Sequence, residues 1–169
     1  LVSGYATTVV DASVEECVAF EICNLNSRRG TRNMQKYGIL DLTVERENSH
    51  SLYYLTRRNL GVPGLSQREF RTAIRWAIEN DGKAILDVSD TDEMNEKFPT
   101  KEQSVVASVH SVWVYEPLHP VGQTIKQTRA TFTSRVDLKG FVPSFIMNQL
   151  ASRLGGQAAL LRKKFDKTK

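Results

Sequence analysis

Arg68 is the residue of this chain whose placement most needs a chemical explanation. It shares strand parity with Phe70, Thr72, Ile74, Trp76 and Ile78, while Glu69, Arg71, Arg75 and Glu79 share the opposite parity. The apolar set is the one that should turn inward, and a guanidinium among it is costly to desolvate unless it finds acceptors. Two arrangements supply them. One is a structural arginine at the strand's edge, bonded to backbone carbonyls or a carboxylate. The other is a contact to the phosphate, carboxylate or hydroxyl of a bound molecule, directly or through water.

The other chemistry-bearing residues are scattered. His50, His110 and His119 lie in different segments, and no His-x-x-x-His pair, Gly-x-Ser-x-Gly elbow or glycine-rich phosphate loop occurs. Nothing therefore fixes a hydrolytic or acid–base site. Cys17 and Cys23 stand six apart in one predicted helix, pointing to different faces, and form neither a disulfide framework nor a metal pair. No Asn-x-Ser/Thr sequon is present, which favours a reducing compartment. The net charge of +4 permits attraction to an anionic membrane surface but is too small and scattered to indicate nucleic acid. His110, Trp113 and Tyr115 share a strand whose faces are both largely apolar, so parity does not assign them a side.

The elements that must position these residues begin with a strand over 4–10. Asp11 and Ser13 are N-cap candidates for a helix running to about Leu25, with Glu15 and Glu16 in its first turn. A basic connector follows, with Arg28, Arg29 and Arg32. Strands are predicted over 38–47 and 51–58, joined by a turn at Glu47-Asn48-Ser49-His50, then over 67–79. Asn80-Asp81-Gly82 makes a tight hairpin into 83–89. A polar excursion from Asp90 to Lys101 precedes a strand over 103–115, and Pro117-Leu-His-Pro120 breaks the chain before a strand over 123–136. Beyond Gly140, around and after Pro143, residues Val142, Ile146, Leu150, Leu154, Ala158 and Leu161 recur at helical spacing to about Phe165. Gly155-Gly156 interrupts that stripe, as a close backbone approach or as a hinge.

The 169 residues suit one domain with about seven mostly antiparallel strands, a helix near the start and one long helix at the end. Helices packed on one side of a sheet make an α+β architecture, and a sheet carrying one long helix across it must curve around that helix. No run of about eighteen apolar residues exists to span a membrane. A first residue Leu1 rather than Met reads as an excerpt or a module cut from a longer protein.

Three stretches carry a family resemblance. Asp137-Leu-Lys139-Gly140-Phe-Val142-Pro143, followed by Asn148, resembles the C-terminal signature of START domains, the steroidogenic acute regulatory-related lipid-transfer modules. Arg68-Glu69-Phe70 is similar to that family's Arg-Asp-Phe, and Val10-Asp11-Ala12-Ser13-Val14-Glu15-Glu16 resembles its first strand-to-helix step. The three occur in the family's order and spacing and span most of the chain. The resemblance implies a helix-grip fold, a curved antiparallel sheet wrapped around a long C-terminal helix with a lipid-sized tunnel between them.

It also implies a non-enzymatic module that carries or senses one hydrophobic lipid (a phospholipid, a sterol or a related molecule). The bound lipid would be its ligand, and no cofactor or metal is implied. The expected ligand-binding set is Arg68, Phe70, Thr72, Ile74, Trp76, His110, Trp113, Phe132, Phe145, Ile146 and Gln149. Leu60, Val62 and Leu65, on the loop Asn59 to Ser66, are the expected lid and membrane contact, helped by Arg162, Lys163, Lys164, Lys167 and Lys169. The expected partners are the lipid and a transient membrane surface, with no nucleic acid, and the expected setting is a monomeric cytoplasmic module peripheral to membranes. The alternative is a helix-grip enzyme of the cyclase or hydratase kind acting on a hydrophobic small molecule.

The chain departs from the family in three ways. The family's usual N-terminal helix and opening strands are missing or cut off, which predicts an incomplete sheet. Met34-Gln-Lys36 stands where a Trp-Asp pair is usual. The 51–66 segment offers no acidic partner for a cavity arginine, which argues against a sterol.

Overall fold

A computed structural model describes residues 1–25, 38–121 and 125–167. Arg28, Arg29, Arg32, Met34, Lys36 and Lys169 lie outside the described residues, as does the side chain of His119.

An eight-stranded sheet runs in the order β1-β8-β7-β5-β4-β3-β2. Its strands are β1 (Val2–Val10), β2 (Ile39–Asn48), β3 (Ser51–Arg58), β4 (Gln67–Ile78), β5 (Ala84–Asp90), β6 (Ser104–Val106), β7 (Ser108–Val121) and β8 (Ile125–Asp137). Between β1 and β2 stands α1 (Val14–Leu25), and the described chain closes with α2 (Ser144–Gly155) and α3 (Gln157–Phe165). Neighbouring strands are antiparallel, except that β6 pairs with the start of β4 in parallel. The architecture is the α+β helix-grip arrangement read from the sequence.

Local chemistry explains the boundaries. The Ser13 hydroxyl accepts the Glu16 N–H at 3.2 Å while the Glu16 carboxylate accepts the Ser13 N–H at 2.7 Å, a reciprocal cap that starts α1. Gly82 takes φ +81 to close the hairpin between β4 and β5, the left-handed conformation that glycine adopts freely. Two consecutive left-handed residues, Lys139 (φ 54) and Gly140 (φ 63), turn the chain sharply out of β8. Asp137 accepts the Lys139 N–H at 2.9 Å and steadies that corner. Pro143 then serves as the N-cap of α2, its carbonyl accepting the Ile146 N–H at 3.0 Å.

Four expectations are corrected. The strand expected over 103–115 divides at Ala107, whose N–H reaches the Glu69 carbonyl at 2.8 Å as the chain passes from β4 to β5. The sheet accordingly has eight strands rather than about seven. Pro117 does not break the chain, because β5 pairs with β7 only as far as Tyr115 while β8 pairs with it beyond. A residue without an N–H is tolerated where a strand is paired on one side alone. The single long helix is instead two segments meeting at Gly156, and neither glycine marks a close approach. A Cβ at Gly155 would meet nothing within 4 Å, and one at Gly156 would meet only its own preceding turn.

Both terminal helical segments and α1 lie on the same face of the sheet. α2 and α3 pack closely on β1, where the Cβ of Leu154 is 2.7 Å from a Cβ placed on Gly4. α1 covers β5 and β7 and meets α3 through the edge-to-face rings of Phe20 and Phe165, 5.5 Å apart. The main core fills this face with Ile74, Leu86, Trp113, Tyr115, Phe132, Ile146, Leu154 and Leu161. A second, smaller core covers the outer face of β3 and β4. There Met94 and Phe98, from the excursion between β5 and β6, pack on Tyr53, Leu55 and Ala73.

Candidate functional site

Strand β4 has the register expected of it. Phe70, Ile74 and Trp76 join the main core, Arg75 is exposed on the other side, and Arg71 is buried beneath the excursion, donating to Glu69 at 3.0 Å and to the Phe98 carbonyl. Arg68 is inward and 2% exposed. Its Nε donates to the Leu138 carbonyl at 2.5 Å, one Nη to the Lys139 carbonyl at 3.1 Å, and the other to the Ser66 carbonyl. The left-handed corner at Lys139-Gly140 is what turns two of these carbonyls toward it. Arg68 thus ties the end of the 59–66 loop to the junction before α2.

Directly opposite Arg68 in the β3–β4 register stands Arg58. It follows Leu52, Tyr54 and Thr56 on the inner parity of β3. Its guanidinium lies 5.3 Å from the Phe70 ring centroid, over its face. Its Nε is buried with no hydrogen-bond partner, and among the described residues no carboxylate pairs with it. Burial lowers the Arg58 pKa, and the positive charge of Arg153 lowers it further.

These residues border a cavity of about 370 Å³ between the 59–61 turn, the ends of β3 and β4, and α2. Leu60, Phe70, Leu138, Ile146 and Leu150 supply its apolar walls, and Arg58, Asn59, Gln149 and Arg153 its polar ones. Among the described residues no carboxylate is in its lining. The volume falls in the range of small-molecule sites, roughly 300–1,000 Å³. A hollow of about 410 Å³ on the outer face mixes Leu42, Leu55, Phe98 and Pro99 with paired charges, Asp41 on Arg57 and Glu69 on Arg71.

Of the expected site residues, Phe70, Ile146, Gln149 and Leu60 come together around this cavity. Thr72, Ile74, Trp76, Trp113 and Phe132 do not border it. Trp113 stacks on Tyr115 at 5.5 Å and tilts against Phe132 at 4.7 Å, while the Thr72 hydroxyl donates to the Tyr54 carbonyl at 2.8 Å. Val62 packs on the main core, and Leu65 lines a shallow depression beside Ser66 and Gln67. Two expectations are corrected outright. His110 is on the outer face, its side chain 63% exposed and its Nε2 2.9 Å from Asp87, because the parity of Trp113 and Tyr115 claims the inside. Phe145 is 60% exposed, because Ile146 takes the inward position in the first turn of α2. Arg58 and Arg153 were the residues missed. The signal for Arg58 was present in its shared parity with Leu52 and Tyr54.

No protein-family model matches the sequence, and no curated protein does. The fold, however, superposes on solved lipid-transfer structures. The lipid transfer and protein localization domain of human StarD13 aligns at TM-score 0.64 and 18% identity, covering 95% of this chain and 75% of that one. A STAR-related lipid transfer protein from Xanthomonas axonopodis aligns at 0.65 and 14%, covering 95% and 84%. Human StAR-related lipid transfer protein 5 aligns at 0.61 and 16%, covering 96% and 74%. The chain has the START helix-grip fold.

At the far end of this START fold lies a second group of titratable side chains, on α1 and β7. Burial holds the Glu21 carboxyl up at about 7 and the Cys17 thiol up at about 12, and it raises the Tyr115 phenol, whose hydroxyl has no hydrogen-bond partner. A protonated thiol and phenol are not nucleophiles. Glu21 has a consequence for stability. Its folded pKa lies above the ordinary carboxylate value, so below about 4.5 both folded and unfolded chains hold the proton. Between about 4.5 and 7 only the folded chain keeps it, and stability falls as pH rises, by up to about 1.4 kcal/mol per unit. Glu21→Gln should flatten that slope in urea unfolding curves taken at pH 5, 6 and 7. An unchanged slope would place the titration elsewhere.

Proposed function

We propose that this START-fold domain binds one hydrophobic lipid without transforming it and carries it between membranes or senses it there. The observation that carries the reading is the cavity under α2, whose walls from Leu60, Phe70, Leu138, Ile146 and Leu150 are continuous with the apolar core. A lipid leaving a bilayer for such a site exchanges one apolar surrounding for another, so each methylene moves at little net cost. The polar groups at the rim then decide which lipid is taken. Native mass spectrometry of the purified protein tests this directly. A co-purifying or added lipid should appear as a one-to-one adduct, and failure of every lipid class to bind would end the proposal.

The site would meet the membrane through its rim. No described helix is long and apolar enough to cross a bilayer. Phe141 is 87% exposed and Phe145 60% exposed, two residues beyond and at the far side of the corner that Arg68 ties to the 59–66 loop. Each ring gains roughly 2–3 kcal/mol on leaving water. The lysine-rich end of α3 lies elsewhere, with Lys164 5.6 Å from the Phe20 ring on α1, about three helical turns from Arg153. The basic end and the loop therefore do not share the rim, and the aromatic pair replaces the lysines in the docking surface. Phe141→Ser with Phe145→Ser should slow lipid transfer between vesicles several-fold and leave the prebound lipid unchanged. Equal transfer rates would remove the aromatic pair from docking.

A second reading, a helix-grip cyclase or hydratase, would have to use the Glu21 carboxyl, which burial raises to about 7 but which stands on α1, away from the cavity under α2. It differs from the first in what Glu21→Gln does. Binding and transfer survive that change under the lipid-carrier reading.

A further inference from the structure

The cavity under α2 has a feature that a purely apolar lipid would leave unanswered. Among the described residues Arg58 and Arg153 are the charged members of its lining, both positive, with Asn59 and Gln149 as neutral neighbours. Arg58 is held inward on β3 between Tyr54 on its own strand and Arg68 across the ladder. Arg68 is met by three backbone carbonyls, but Arg58 has an orphaned, buried Nε and a like charge as its cross-strand neighbour. Like charges directly opposite in a sheet repel. A half-buried guanidinium whose Nε meets no acceptor among the described residues is retained against its desolvation cost, and here the cost rises because Arg153 faces the same space. Water can meet individual N–H groups but cannot neutralise two cations.

We infer that the cavity selects an anionic lipid, whose carboxylate or phosphate sits between Arg58 and Arg153 while its chain runs inward past Phe70, Ile146 and Leu150. The inference rests on the lipid-binding reading above and adds the chemical class of the ligand. A planar guanidinium offers paired N–H donors to carboxylate or phosphate oxygens, and Arg58 is already oriented by the Phe70 ring at 5.3 Å. Asn59 and Gln149 are placed to add neutral hydrogen bonds. An uncharged lipid of the same chain would fill the apolar part and leave the two cations uncompensated.

The test compares oleate, oleoyl lysophosphatidate, oleyl alcohol and inorganic phosphate on the purified protein, by isothermal titration calorimetry at constant ionic strength. The two anionic amphiphiles should bind roughly tenfold to a hundredfold more tightly than oleyl alcohol. Arg58→Met and Arg153→Met should each abolish that preference, the two acids losing affinity relative to oleyl alcohol. Arg153 is exposed, so its replacement leaves folding intact and reports even if Arg58→Met does not fold. A wild-type protein that binds the alcohol as well as the acids overturns the inference and leaves lipid binding standing. So does a preference that survives both substitutions. Binding of inorganic phosphate as tight as that of lysophosphatidate would make the site one for a soluble anion. Binding of none of the amphiphiles would sink the lipid reading along with the inference.

Discussion

Replacing Arg68 by leucine is expected to lower the unfolding free energy by about 3–5 kcal/mol, one of the larger losses available to a single substitution here. The side chain is 2% exposed and donates to the carbonyls of Leu138, Lys139 and Ser66. Leucine fills part of the space but leaves those acceptors facing an apolar group, at about 1–3 kcal/mol for each that water cannot reach. Arg68→Lys should recover only part of the loss, because one ammonium cannot span three divergent carbonyls. Urea unfolding of the three proteins measures the effect. A loss below about 1 kcal/mol, together with a change in the lipid class bound, would show that Arg68 serves the ligand rather than the fold.

Gly4→Val is the second large effect. A Cβ at position 4 would stand 2.7 Å from the Leu154 Cβ, an atom fixed to the α2 backbone rather than the free end of a flexible chain. Either β1 or the helix must move, and overpacking of this kind costs about 1–3 kcal/mol. Because β1 is the strand on which α2 and α3 pack most closely, the displacement falls on the element that roofs the cavity. Leu154→Ala leaves the Cβ in place but frees the room around it, so the double variant should lose less than the sum of the two singles. A strictly additive cycle, or a Gly4→Val protein within about 0.5 kcal/mol of wild type, would show that the sheet absorbs the clash.

Much of this architecture was legible because local signals agreed with the tertiary arrangement. The alternation from Arg68 to Trp76 gave the correct inner face of β4, and Ser13 with Glu16 marked the start of α1. The Asp137 to Pro143 stretch announced the corner before α2, which the structure builds from two left-handed residues. What was not legible depended on contacts distant in sequence. The excursion after β5 reads as a polar loop, yet Met94 and Phe98 fold back over Tyr53 and Leu55. The break at Ala107 has no turn residue, because the chain changes partner there without changing direction sharply. His110 was ambiguous because Val112 and Val114, on the outer parity, are as apolar as the inner residues and only half-buried. Arg58 was overlooked for the opposite reason. A charged residue at a strand's end ordinarily belongs in water, and only the pairing with Arg68 shows that it does not.

The cover that Met94 and Phe98 place on β3 and β4 gives the sheet two unequal halves. The middle of those two strands is shielded on both faces, whereas β1 and β8 present Tyr5, Thr133 and Arg135 to solvent. Amide protons in the middle of β4 should therefore exchange only when the whole molecule unfolds, and those of β1 through smaller openings. The wall that holds Arg58 and Phe70 belongs to the slow half, and the strand beneath the helix to the fast one. Any breathing that admits a ligand is then borne by β1 and the helix resting on it, while the arginine wall keeps its shape throughout.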